Sequence, residues 1–132
     1  MKGIKGNIKR VFKNDHDTIP TLEEVVHEIT GVPIESIQKK GRPREIVEAR
    51  QIVMALALES GRVSKNYITK HFRFKHHSPI GNAAIRISGF CDTNKKFKRM
   101  VDKIREEFKR RITSSRAFDS NIEIYQELKN QL

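Results

Sequence analysis

The segment REIVEARQIVMALALES, residues 44–60, is the longest stretch of the chain that predicts one helix with a continuous apolar centre. One face of this helix carries Ile46, Ala49, Val53, Leu56 and Ala57. Residues 52–58 are apolar all round, and a helix that is apolar all round lies buried inside the fold. We therefore expect a central helix that the rest of the chain packs around and that ends at Gly61.

Shorter helices are predicted before this segment and directly after it. Thr21 and Glu24 form a capping box that marks the start of a helix, which Gly31 ends. Pro33 suits the start of a short helix that runs through about residue 38. After the central helix, Ser64 is the predicted N-cap of a helix of two or three turns.

The segment HHSPIGNAAIRIS predicts a further helix, and a long basic helix follows it. Ser78 and Pro79 suit the start of the first, and Gly89 is expected to end it. Its apolar stripe is Ile80, Ala83, Ala84 and Ile87. The stripe of the long helix is Phe97, Val101, Ile104, Phe108 and Ile112.

The sequence SSRAF, residues 114–118, is expected to break the long helix before a short last helix, 119–132. One side of that last helix would carry Ile122, Tyr125, Leu128 and Leu132. Because no segment shows a strand pattern, the predicted class is all-α, with about six helices. The predicted division is a flexible basic arm, 1–19, a helical domain, 20–112, and a C-terminal helix extension, 113–132.

The charge of the chain limits what it binds. A net charge of +11 and a pI near 10.0 favour a polyanion, nucleic acid first and an acidic membrane surface second. No stretch reaches about 18 consecutive apolar residues, so no membrane span is predicted. Cys91 is the single cysteine, which excludes an intrachain disulfide and favours a reducing compartment. The predicted location is cytoplasmic, in association with the nucleoid.

The residue patterns do not support catalysis, metal binding or nucleotide binding. His71, His76, His77 and Cys91 could offer metal ligands, but they lack the paired spacings of a zinc site. No orienting motif surrounds Cys91, and GRPRE is not a phosphate-binding glycine loop. We therefore predict a protein that is not an enzyme and carries no catalytic residue, metal, nucleotide or other cofactor.

A short helix, a turn and a second helix with small residues on its inner face are the organisation of a helix-turn-helix. Residues 62–77 contain five Lys or Arg and no acid, so the surface around the turn is positive. The start of the second helix would then lie in the major groove of DNA, where its side chains contact base edges or phosphates. These side chains are Lys75, His76, His77, Ser78 and Asn82.

A basic loop, KKGRPR, precedes the central helix and offers a second contact with DNA. Its cations are Lys39, Lys40, Arg42 and Arg44. Flexible arginines beside a helix-turn-helix can enter a narrow minor groove, where the negative potential is concentrated. The alternative is a solvated basic turn with no ligand.

The segments GRPREIVEARQIVMALALES and FKHHSPIGNA resemble the C-terminal DNA-binding domain of DnaA, the bacterial replication initiator. The resemblance runs from Ile29 to about Ile87 without a gap, and more weakly through Ile104. It implies a helix-turn-helix bundle of the TrpR and DnaA domain IV type. It also implies that the chain lacks the ATPase part of an initiator.

The resemblance assigns roles to individual positions. The minor-groove arginine of the family falls on Arg42, and a second arginine of its basic loop falls on Arg44. A residue that contacts the DNA backbone falls on Arg50. The residues that open the short helix, and touch the backbone and a base methyl, fall on Ser64, Lys65 and Asn66.

The recognition signature of the family, RDHTT, falls on residues 75–79 and is only partly kept. His77 is retained, whereas His76 replaces an aspartate and Ser78 and Pro79 replace two threonines. A carboxylate accepts hydrogen bonds from bases and a histidine can donate them, so the preferred DNA sequence should differ from that of the family.

The predicted function is non-enzymatic binding of double-stranded DNA by a replication- or transcription-related regulator, with sequence specificity left open. The alternative is a protein-interaction module on the same fold, in which residues 119–132 form a homodimer or partner interface. An RNA-binding variant is a third option, because charge alone does not distinguish the two polymers.

Overall fold

The computed structural model describes residues 14–39, 41 and 43–131, of which 114–131 are described by their backbone alone. These residues form six helices and no strand. The helices are α1 (Thr18–Thr30), α2 (Ile34–Gln38), α3 (Arg44–Ser60), α4 (Lys65–His71), α5 (Ser78–Thr93) and α6 (Lys95–Gln131). The predicted all-α class is confirmed, as is the helix-turn-helix bundle. None of the helices in the described residues combines the length and the hydropathy that a membrane span requires.

The central position predicted for α3 is confirmed. Helices α1, α2, α4 and α5 all pack against α3, and α6 covers α1 and α5. The apolar run at the centre of α3 is buried from Ile52 to Ala57. Since neighbouring helices cover every side of α3 there, its direction fixes where each of them lies.

Helix α1 begins one turn earlier than the predicted capping box. Its first residue is Thr18, whose hydroxyl donates to Asp15 Oδ2 at 2.9 Å. Pro20 has no N–H and falls in the first turn, where no backbone donor is required. The first backbone bond of the helix runs from the Thr21 N–H to the Asp17 carbonyl at 3.0 Å. The predicted start at Thr21 was therefore wrong.

Residues 14–17, which the sequence places in a flexible arm, contact the segment that leads into α4. The Asn14 side chain accepts a hydrogen bond from the Ser64 N–H at 2.7 Å. Asp15 forms an ion pair with Arg62 at 3.0 Å. Residues 1–13 of the arm predicted for 1–19 lie outside the described residues.

Gly89 does not end α5, which continues to Thr93. Contacts made by the last turn of the helix outweigh the weak helix propensity of one glycine. In that turn the Phe90 ring packs edge-on against Phe97 of α6, with the ring centroids 5.6 Å apart. Asn94 then starts α6, since its Oδ1 accepts the Phe97 N–H at 3.0 Å.

Helix α6 runs without a break to Gln131, so the break predicted at residues 114–118 was wrong. That segment contains no Gly or Pro, and Ser and Arg do not stop a helix that is already formed. The predicted apolar stripe of residues 119–132 consists of side chains outside the described residues. The interface proposed for it therefore remains a prediction.

The predicted stripe of α6 is confirmed as the face that docks, because Val101, Ile104, Phe108 and Ile112 are buried. Ion pairs reinforce this docking. Arg111 bridges to Glu28 of α1 at 2.5 Å, and Arg105 to Glu59 of α3 at 2.7 Å. Hydrogen bonds from Arg110 and Arg111 lower the pKa of Glu107 to about 2. Several cations of the basic helix thus serve its own attachment.

Two glycines provide a test of the helix ends. Gly31 ends α1 with φ 81°, whereas Gly89 is exposed inside α5. A Cβ added at either position would meet no atom within 4 Å. We expect Gly31→Ala to lower the free energy of unfolding by about 1 kcal/mol, because a side chain disfavours left-handed backbone. Gly89→Ala should raise it by about 0.5–1 kcal/mol. Urea unfolding checks both, and changes of the same sign would contradict the assigned helix ends.

Candidate nucleic-acid interface

Helices α4 and α5 form the helix-turn-helix, and a shared core fixes their relative position. Ser64 is confirmed as the N-cap of α4, since its Oγ accepts the Tyr67 N–H at 3.0 Å. Ile68 of α4 and Ile80 of α5 are completely buried, as is Ala83. The buried faces of both helices therefore belong to one core, and their opposite faces point outward together.

The turn between these helices contains an unusual backbone conformation. Arg73 has φ 61°, and it is the one residue other than glycine with positive φ among those described. This conformation costs a residue with a side chain roughly 1–2 kcal/mol. Hydrogen bonds from the Arg73 N–H to the Lys70 carbonyl, 3.1 Å, and from the Phe74 N–H to the Thr69 carbonyl, 3.0 Å, close the turn.

Four residues predicted to contact bases stand exposed where α5 begins: Lys75, His76, His77 and Ser78. None of their side chains forms a hydrogen bond or ion pair with another residue in the described part of the chain. No group of three His, Cys, Asp or Glu in that part is arranged to hold a metal ion. The donors of the four exposed side chains are therefore available to a ligand.

The exposed face of α5 contains a residue that sequence reasoning missed. Ile85 is 73% exposed and is the one large hydrophobic residue with such exposure among those described. It lies one turn beyond Asn82 and two turns beyond Ser78, on the face opposite the buried Ile80 and Ile87. Its spacing from Ser78 and its absence from the predicted apolar stripe were the available signals.

The residues that open α4 are accessible in part. Lys65 and Asn66 are exposed and form no hydrogen bond through their side chains within the described residues. Ser64 is half-buried, and its hydroxyl is already engaged in capping the helix. The Cys91 thiol, on α5, is half-buried, and this burial raises its pKa, which disfavours the reactive thiolate.

The basic loop connects α2 to α3. Lys39 and Arg44, at its two ends, are exposed. Lys40 and Arg42, at its centre, lie outside the described residues, so their entry into a minor groove remains a prediction.

Arg50 does not lie on the surface, where the resemblance predicts a contact with the DNA backbone. It is 6% exposed, and its guanidinium faces the end of α2. Its Nε donates to the Ile37 carbonyl at 2.8 Å, and its Nη2 to the carbonyls of Ser36, at 3.3 Å, and Lys39. Carbonyls at a helix end lack partners within the helix, and Arg50 supplies them. Burial lowers the pKa of Arg50. Through these hydrogen bonds, Arg50 positions the start of the basic loop.

A buried carboxylate connects the basic loop to the helix-turn-helix. Glu23 of α1 is 2% exposed. Its Oε1 accepts a hydrogen bond from Gln38 Nε2, and its Oε2 lies against His71 Nε2, both at 3.0 Å. Gln38 is the last residue of α2 and His71 is the last residue of α4. Glu23 therefore holds the start of the basic loop beside the turn that precedes α5.

The chain matches a known family over this region. The family model described as the bacterial DnaA protein helix-turn-helix matches residues 19–87, from α1 into α5. Three similar relatives are chromosomal replication initiator proteins DnaA. The one from Campylobacter concisus (strain 13826) is 29% identical over 109 residues, 81% of this chain and 25% of that protein.

The other two relatives give comparable values. The protein from Campylobacter fetus subsp. fetus (strain 82-40) is 33% identical over 118 residues, 86% of this chain and 26% of the relative. The protein from Bacteroides fragilis (strain YCH46) is 31% identical over 98 residues, 74% of this chain and 21% of the relative. The chain thus spans about a quarter of the length of these relatives.

The role of Arg50 can be tested through stability. We expect Arg50→Met to lower the free energy of unfolding by about 3 kcal/mol, because it leaves buried carbonyls at the end of α2 without donors. Arg44→Met, at the exposed start of the same helix, is the matched control and should change stability by less than about 0.5 kcal/mol. Urea unfolding measures both. An Arg50→Met protein as stable as the parent would contradict the structural role.

Proposed function

Because the chain belongs to the bacterial DnaA helix-turn-helix family, we propose that it binds double-stranded DNA through α5 in the major groove and the basic loop in the adjacent minor groove. The proposed activity is recognition without catalysis, in a replication- or transcription-related regulator of the cytoplasm and nucleoid. The observation that carries this proposal is the cluster of exposed donors at the start of α5, which have no partner among the described residues. The opposite face of this helix is fixed in the core.

The major-groove contacts follow from the side chains just before α5 and on its exposed face. Lys75, His76 and His77 can donate to acceptors such as guanine O6 and N7, and Ser78 can contact either kind of base edge. Asn82, one turn farther along, has the amide that pairs with adenine N6 and N7. A histidine at position 76, in place of the carboxylate of the family, favours acceptors over cytosine donors.

The remaining contacts position the protein on the duplex. Lys39, Lys40, Arg42 and Arg44 would follow or enter the minor groove. Lys65 and Asn66 would contact the phosphate backbone beside α4, and Ser64 would hold that helix end in place. Arg50 supports this arrangement from inside, through the carbonyls at the end of α2.

Duplex binding tests the proposal directly. A preferred site would be selected from random duplexes, and its affinity measured by fluorescence anisotropy across a salt series. We expect His77→Ala to lower affinity for the selected site about 5- to 150-fold, the range for losing one base contact. Arg42→Ala should lower it by a comparable factor.

Lys103→Ala is the matched control, because Lys103 is exposed on α6, beside Glu28 and Glu107 and on a different surface. It should leave affinity within about twofold of the parent. Absence of duplex binding at low salt would overturn the proposal. Equal losses in all three variants would overturn the assignment of residues.

A second test of the proposed major-groove contact uses Ile85 and one methyl group of the DNA. An exposed apolar side chain on a major-groove helix is suited to the C5 methyl of thymine. Replacing thymine with uracil in the selected duplex removes this methyl and should weaken the parent protein about three- to fivefold. The same replacement should leave Ile85→Ala unaffected, as anisotropy would show. Equal sensitivity of both proteins would place Ile85 outside the contact.

A further inference from the structure

A groove of about 690 Å³ lies between the end of α2 and the turn that follows α4. It is lined by Glu35, Gln38, Lys39, His71, Phe72 and Arg73. We name this surface the saddle. Its two sides are the segments that Glu23 holds together, since Gln38 and His71 are both partners of that buried carboxylate.

The saddle lies between the two segments proposed to enter DNA. Adjacent minor and major grooves are separated by one sugar-phosphate strand. If the basic loop occupies one groove and α5 the next, that strand must cross the protein surface between Lys39 and Lys75. We propose that the saddle binds this phosphodiester strand, with Arg73 and Lys39 donating to phosphate oxygens. The inference rests on the proposed function and adds a site to it.

Arg73 is suited to this role by its chemistry and its surroundings. It is exposed, and its side chain has no hydrogen bond or ion pair with any residue that the structure describes. A guanidinium offers several donors in a plane that matches a phosphate. Lys39, on the other side of the saddle, is also exposed.

The backbone of Arg73 is a second, independent observation. A positive φ favours glycine, yet a long cationic side chain occupies this position. Strained backbone is often retained where the side chain has a function. Here the function proposed for the strained residue is a contact that the free protein does not make.

The other charged groups of the saddle define its limits. His71 lies against the buried Glu23 carboxylate at 3.0 Å, so any charge it carries is balanced within the protein. Its role is to position the turn. Glu35 is exposed and has no ion pair in the described part of the chain, so its carboxylate repels a bound phosphate. The saddle thus contains two attractive groups and one repulsive group.

The test uses variants that affect phosphate binding in opposite directions. Arg73→Gly removes the guanidinium and also suits the positive φ, so the turn should fold at least as well. It should lower duplex affinity about fivefold and reduce the slope of log K against log salt by about 0.9, the value for one lost phosphate contact. Glu35→Gln should raise affinity about two- to fivefold. Lys103→Ala should change neither quantity.

Replacing one charged phosphate of the DNA with a neutral methylphosphonate shows where the strand contacts the protein. In the selected duplex, single methylphosphonates placed along the strand between the two grooves should weaken the parent protein at one or two positions. Arg73→Gly should be insensitive at the same positions. If the parent binds duplex DNA while Arg73→Gly and Glu35→Gln keep its affinity and salt slope, the saddle proposal is overturned and the proposed function stands. If the parent binds no duplex, both fail.

Discussion

The burial of α3 on every side is the constraint on which the rest of this structure depends. Four helices must cover its apolar centre, and their order along the chain then decides which ends meet. α3 also carries Arg50 into the interior, where a charge is tolerated only with several hydrogen-bond partners. The carbonyls at the end of α2 are those partners. The apolar core and one buried cation thus fix the base of the basic loop.

The same arrangement places some charged side chains in ion pairs and leaves others without a partner among the described residues. On the side of α6, arginines pair with Glu28, Glu59 and Glu107, and they attach this helix to α1 and α3. Around the turn before α5, the cations Arg73 and Lys75 have no acidic partner within the described residues. Paired charges stabilise an attachment, whereas unpaired charges on one face attract a polyanion. Arg73 and Lys75 therefore contribute to the attraction that a net charge of +11 exerts on a polyanion.

Local patterns predicted the parts of the fold that depend on local chemistry. The apolar run of α3, the Ser64 cap and the stripes of α5 and α6 each follow from spacing or from one hydrogen bond. Contacts outside the helical spacing pattern account for two of the failures. Gly89 stays helical because Phe90 packs on Phe97, and α1 starts early because of Asp15.

The candidate site, too, was predictable from the sequence only in part. The exposed start of α5 was predictable from its position after a turn. In contrast, the carbonyls around Arg50 lie 11 to 14 residues away in sequence, and Glu23 and His71 are 48 residues apart. No local pattern pairs such residues. The positive φ of Arg73 could not be predicted either, because arginine is not a residue type that indicates left-handed backbone.

The central claim is that one continuous face, from the basic loop across the turn to α5, meets the DNA. Amide chemical shifts of the labelled protein, titrated with the selected duplex, test it most directly. The account predicts the largest shifts in residues 39–44, 64–66 and 73–85, with little change on the exposed side of α6 from 99 to 110. Shifts concentrated on α6, with residues 73–85 unchanged, would contradict it.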